Sequence, residues 1–300
     1  MATRTPTPQE INQQRIAEQR RKNQEFERLR SISSARTVRR PIPQNVRRDI
    51  ERIYRNTNKE ELKTLAPNRE DSDKFAAFLR QPNTGLTRLA ADLGCAENTN
   101  VIVASADCIK YSMPGAGSSY SFRVNDYRIW RLADLTFTDN SFQATGALLH
   151  GILVGIGNVP LEKVNLQSNG VKFLVDFQTA ADFEKAQKIA RQVVDGIDKD
   201  GFFYRRGLKA IENMTYVLRS IAYDGEFYRA VSGITYNELD FDKRKDIIVA
   251  FRIVRRDADG SVTILWKELA KKDAPKIRRK IEDINKPVKE NNFTAKSINK

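Results

Sequence analysis

From Val46 to Tyr54, apolar residues fall four, three and one positions apart (Val46, Ile50, Ile53, Tyr54). Beyond Asn100 they come in short runs or at every second position. The first spacing lines up one face of a helix, and the second belongs to strands. A further short helix is expected after Asn58 as N-cap, stopping before Pro67. Another follows Ser72 through DKFAAFLRQ to Pro82, and a last one, LTRLAADLG, closes on Gly94. Each is too short to stand alone, so all are expected to pack on the strand-rich remainder of the chain.

The strand pattern covers NVIVASADCIKYSM (100–113), SSYSFRV (118–124), IWRLADLTF (129–137), GILVGIG (151–157) and VKFLVDF (171–177), all rich in β-branched and aromatic residues. PGAGSS (114–119) reads as a flexible hairpin tip. One longer helix interrupts the series, opening on Thr179 and Asp182 with a stripe of Phe183, Ala186, Ala190, Val193 and Ile197. Two hairpins follow. One is expected to turn on Asp224–Gly225 as a type I′ turn, the other around Asp257–Gly260. Ile247–Val254 is apolar on both faces and should be central. The fold class is therefore α+β: short N-terminal helices, then a mainly antiparallel sheet body with one long packed helix, and basic flexible tails. The expected divisions are a polar basic segment at 1–45, helices at 46–94, the sheet body at 95–270 and a basic tail at 271–300.

Charge sharpens that division. The formal net charge is +14, with +8 in residues 1–48, zero in 49–270 and +6 in 271–300. A neutral body with basic ends suits a contact with a polyanion (nucleic acid or anionic lipid) or an acidic partner protein. No apolar run approaches the ~18–20 residues of a membrane span, so the chain reads as soluble. MATRTPTPQE lacks a leader pattern, which by itself places the protein in the cytoplasm. A leader upstream of the given start would make it periplasmic or extracellular.

Candidate chemistry is sparse. The single histidine, His150, reads as a strand histidine with a satisfied ring nitrogen rather than a lone general base; two-histidine zinc sites are excluded, and any histidine relay would have to run through this one residue. Gly151, Gly155 and Gly157 lack the strand–turn–helix setting of a dinucleotide loop, and PGAGSS has no lysine after it. GIDKDGFF lacks the first and last ligands of an EF-hand. No cofactor and no catalytic residue is expected. Glu238, Asp240 and Asp242 alternate in NELDFD, so an extended chain would place all three carboxylates on one side, as a metal site or an acid–base pair requires. YSFRVNDYRIWR (120–131) and GFFYRR (201–206) interleave aromatics with arginines as single-strand nucleic-acid binders do, although in a strand Tyr120, Phe122 and Val124 would face the core.

Cys95 and Cys108 are the only cysteines. Their spacing fits neither a zinc site nor a redox CxxC. Were 100–113 one unbroken strand, Cys108 would lie roughly 25 Å along it, too far for a disulfide. A break at Ala106–Asp107 would let the loop close, with a gain of about 3 kcal/mol. The disulfide is the expected state, conditional on export. The leading functional expectation is a non-catalytic binding or structural protein. The rivals are a carboxylate-based or metal-dependent hydrolase and a single-stranded nucleic-acid-binding module.

Overall fold

The computed structural model describes residues 42–91, 114–231 and 234–277. Cys95, Cys108 and the 100–113 strand expectation lie outside the described residues. The fold is α+β.

Helix α1 (Gln44–Tyr54) carries the first periodic stripe, with Val46, Ile50 and Tyr54 buried. Helix α2 (Lys59–Thr64) opens on a full capping box. The Asn58 side chain accepts from the Glu61 amide, and the Glu61 carboxylate accepts from the Asn58 amide. Helix α3 (Arg69–Lys74) starts one turn before the expected Ser72, because Asn68 takes the Glu70 amide and caps first. Helix α4 (Ala76–Leu79) follows directly.

LTRLAADLG does not form the expected helix. Its first half belongs to strand β1 (Thr84–Leu89), which pairs antiparallel with β14 (Val262–Asp273). The strand form lets Leu89 enter the core and gives the Trp266 indole N–H an acceptor in Thr87 Oγ1 at 3.0 Å. An available sheet edge outweighs a helical spacing of a few residues.

Among the described residues the main sheet has the order β1, β14, β13 (Lys245–Arg256), β10 (Thr215–Ala222) and β6 (Leu149–Gly155), antiparallel throughout. Strand β13 is central, as its two apolar faces require. On one face Val249, Phe251, Leu218, Tyr216, Ile264 and Trp266 meet a second antiparallel sheet. That sheet runs β3 (Asp126–Tyr127), β2 (Ser119–Ser121), β4 (Leu135–Thr138), β5 (Ser141–Ala144), β9 (Gly207–Lys209), and contributes Tyr120, Tyr127, Leu135, Phe137 and Phe142. On the opposite face Ile152, Val154, Val217, Ile248, Ala250 and Leu265 meet helices α5 (Lys172–Asp176) and α6 (Phe183–Asp195) with Phe78 of α4. The body is thus sheet on sheet on helices. The sheet draws its edge strand β1 from the segment read as helical, and β14 ends at Asp273.

One side of the sandwich is closed by a strand that changes sheets. Arg205 exchanges both backbone hydrogen bonds with Leu153 of β6, and the Arg206 carbonyl then accepts from Ala144 of β5. Close approach here depends on Gly151, where a Cβ would stand 2.2 Å from that of Ala144. A separate hairpin, β11 (Tyr228–Val231) and β12 (Ile234–Asn237), joins α1 around Phe227, Leu239, Ile129 and Leu132.

Three further expectations are corrected. PGAGSS is a buried turn: Gly115, Ala116 and Gly117 all have positive φ, and a Cβ on Gly115 would stand 2.2 Å from the Arg128 carbonyl. Asp224–Gly225 does not form a type I′ hairpin, because β10 pairs with β13 and β6 while β11 pairs with β12. The two consecutive positive-φ residues of a type I′ turn occur instead at Asp139–Asn140, between β4 and β5, and at Asp200–Gly201, in the hairpin of β7 (Ile197–Lys199) and β8 (Phe202–Tyr204). VKFLVDF, expected as a strand, holds α5. The Arg219 guanidinium donates to the carbonyls of Leu174 (2.6 Å) and Phe177 (2.7 Å), satisfying the end of this short helix from below. Helix α6 starts on Asp182, whose carboxylate takes the Lys185 amide at 2.8 Å. No helix among the described residues is long and apolar enough to cross a membrane.

Candidate functional site

The acidic segment that stands out in the sequence is not extended. Glu238–Phe241 forms a 3-10 turn between β12 and β13. Asn237 sets the turn: its side-chain carbonyl accepts from Phe227 N at 2.9 Å and Leu239 N at 3.3 Å, and its amide donates to Asp240 Oδ1 at 2.7 Å. With three residues per turn, the period-two alternation no longer puts the carboxylates on one side. Glu238 points into the body, Asp240 stays exposed, and Asp242 enters a different buried cluster.

Glu238 is fully buried beneath α1. Both its oxygens accept from Arg131 Nε, at 2.8 and 2.9 Å, and Oε1 also accepts the Tyr54 hydroxyl at 2.7 Å. That hydroxyl in turn receives the Tyr236 hydroxyl at 2.7 Å. Burial and the adjacent Glu238 charge push the Tyr54 phenol well above its ordinary range. The cluster therefore ties α1 to the β12 turn through a phenol that stays protonated.

Asp242 lies between two guanidinium groups, Arg123 and Arg244, the latter at 2.8 Å. Arg123 also binds Asp134 Oδ1 at 2.8 Å and the Leu132 carbonyl at 3.0 Å. Asp134, completely buried just before β4, further accepts from the Arg123 amide and from the hydroxyls of Ser121 and Ser220. Arg244 donates to the carbonyls of Tyr223, Ala147 and Leu148 at 2.9, 2.8 and 2.6 Å. The result is an alternating buried row, Asp134–Arg123–Asp242–Arg244, with no net charge. Burial would raise the Asp242 carboxyl, but the two arginines outweigh it and hold the group below its ordinary value. Arg244 is pushed down to about 10 by burial and by Arg123, and is charged at neutral pH. Neither Asp242 nor Arg244 is poised to exchange a proton near pH 7. A further buried pair, Arg219–Asp246, joins β10 to the start of β13 at 3.0 and 2.7 Å.

The structure therefore separates Glu238, Asp240 and Asp242 and gives each its own partners. Among the described residues no group of three or more His, Cys, Asp or Glu is placed to hold a metal ion. Millimolar calcium or manganese is expected to leave the thermal midpoint within about 1 °C, since site-specific binding would raise it. A rise of several degrees that Glu238→Gln or Asp242→Asn abolishes would make this segment a metal site.

The aromatic–basic runs are likewise engaged. Tyr120, Phe122 and Tyr127 are core residues, and Arg128 donates to the Tyr54 carbonyl and to Asn56 Oδ1 at 2.5 and 2.6 Å. In GFFYRR only Phe203 is exposed among the aromatics, with the Arg205 guanidinium 5.5 Å from its ring centre. His150 is buried and its Nδ1 lies 3.0 Å from the Tyr223 hydroxyl. What the sequence did not reveal is the arginine–carboxylate pairing. Partners lie 11 residues apart for Arg123–Asp134, 107 for Arg131–Glu238 and 119 for Arg123–Asp242, so no local spacing marks them. Comparison of the chain with family models, curated proteins and solved structures yields no match.

Proposed function

We propose that the chain is a non-catalytic binding or structural protein, whose neutral body carries basic end segments that contact a polyanion or an acidic partner protein. The observation behind this reading is the division of charge. The +14 lies entirely in residues 1–48 and 271–300, while in the body Glu238 and Asp242 are matched by arginines. Carboxylates held this way cost several kcal/mol to free, which argues against acid–base work by them. Basic segments on a neutral body give salt-sensitive attraction without requiring a shaped pocket.

The test uses the full-length chain and a variant with Arg36, Arg39, Arg40, Arg278, Arg279 and Lys280 changed to glutamine. Heparin, a 30-nucleotide single-stranded RNA and vesicles containing phosphatidylserine serve as probes. The expected result is binding to at least one probe that weakens steeply with salt, with the variant at least tenfold weaker and its salt slope reduced. Each nucleic-acid phosphate contact contributes about 0.7–0.9 to that slope. Equal affinity and slope for both proteins would sink the proposal.

A further inference from the structure

His150 stands on β6 beneath α6, on the helix-facing side of the main sheet that it shares with Ile152 and Val154. Its ring meets Tyr223 edge to face, with centroids 5.0 Å apart. The Tyr223 hydroxyl accepts the Ala180 N–H at 3.0 Å and lies 3.0 Å from His150 Nδ1. A phenol carries one proton, and a backbone N–H only donates. Among the described residues Nδ1 is the one acceptor within reach of the phenol proton, so Tyr223 directs that proton at Nδ1, which is therefore bare. The hydrogen-bond pattern assigns the neutral tautomer protonated on Nε2.

Protonating Nδ1 would set two hydrogens against each other. Either the phenol turns and leaves its proton without an acceptor inside the helix layer, or the segment above moves away. A buried donor left unpaired is costly, and only Ala186, Ile189 and Val193 of α6 are buried to resist the movement. We propose that His150, Tyr223 and the Ala180 amide form an acid-released latch holding residues 180–195 on the main sheet.

The surrounding charges do not supply a substitute partner for the imidazolium. On α6 the Asp182 carboxylate is engaged by the Lys185 amide, and Glu184, Lys185 and Lys188 are exposed. Just before β13, Arg244 is occupied by the carbonyls of Tyr223, Ala147 and Leu148, and within β10 Arg219 is occupied by Asp246. The backbone of Ala186 favours the charged ring, but burial outweighs it and pushes His150 from 6.5 to about 4. The sign follows from linkage. Because the closed state binds the proton more weakly than the open state, the latch holds fully above pH 6.5. It weakens as pH falls toward 4. Between pH 7.5 and pH 5 the opening constant should rise about 30-fold.

Hydrogen exchange of the full chain, corrected for intrinsic rates, reads this directly. Peptides within 180–195 should lose protection about 30-fold between pH 7.5 and 5, while peptides of β13 hold theirs. His150→Gln, which keeps an acceptor without a titration, should remove the dependence. Equal loss in β13, no loss in 180–195, or an unchanged dependence in His150→Gln each overturns the latch. Should that variant fail to fold, nuclear magnetic resonance of the wild-type ring decides. An Nε2–H tautomer titrating well below 6.5 supports the latch, and a ring titrating near 6.5 rejects it.

Discussion

Replacing Asp134 with alanine is expected to destabilise the protein by about 3–5 kcal/mol, the usual cost of removing one partner of a buried ion pair. The carboxylate accepts from Arg123 twice and from Ser121 and Ser220, and it has no exposure to water. Without it, Arg123 keeps Asp242 as its one carboxylate partner, and two buried hydroxyls lose their acceptor. Asp134→Asn should cost less, since the amide oxygen still serves the serines. The pair Arg123→Met with Asp134→Leu should recover much of the loss, because neither desolvated charge is then left over. Urea unfolding at neutral pH measures all three. A loss below about 1 kcal/mol for Asp134→Ala would show that the row is not a stability element.

Phe251→Ala should cost a comparable amount, about 3–5 kcal/mol. Phe251 lies on the central strand, fully buried between the sheets. Phe142 meets it edge-on at 5.0 Å, Tyr216 stacks at 5.3 Å, and Phe122 lies 6.4 Å away. Truncation leaves a cavity lined by three aromatic rings, which are too large and too constrained by their own neighbours to collapse into it. Phe251→Leu, which fills most of the space, should lose clearly less. Matching losses for the two variants would mean that the site relaxes, contrary to this packing.

These expectations rest on features of unequal visibility in the sequence. The stripe of α1, the Asn58 capping box, the apolar run of β13 and the Asp257–Gly260 turn are local patterns. Each satisfies its own backbone or declares its own buried face within a dozen residues. VKFLVDF and LTRLAADLG misled because their spacing is ambiguous over so few residues, and propensity differences of tenths of a kcal/mol per residue decide little. Arg219 capping the carbonyls of α5 settled one, and the open edge of β14 settled the other. The candidate site shows the same limit. NELDFD identifies three carboxylates but not their directions, because Asn237 bends the segment into a turn that period-two reasoning does not foresee.

What the sequence determined by itself is the α+β class, the centrality of Ile247–Val254, and the division of charge into +8, zero and +6, since composition and periodicity suffice for these. The tertiary structure alone decided what the charges of the body do. Arg123 and Arg131 read as part of an aromatic–basic nucleic-acid run, and Arg219 and Arg244 carry no sequence mark of a role, until the chain brings carboxylates as many as 119 positions away against them. A guanidinium carries no local mark of its partner. In the interior an unpaired charge is prohibitively costly, so the fold, and not the sequence spacing, dictates the match.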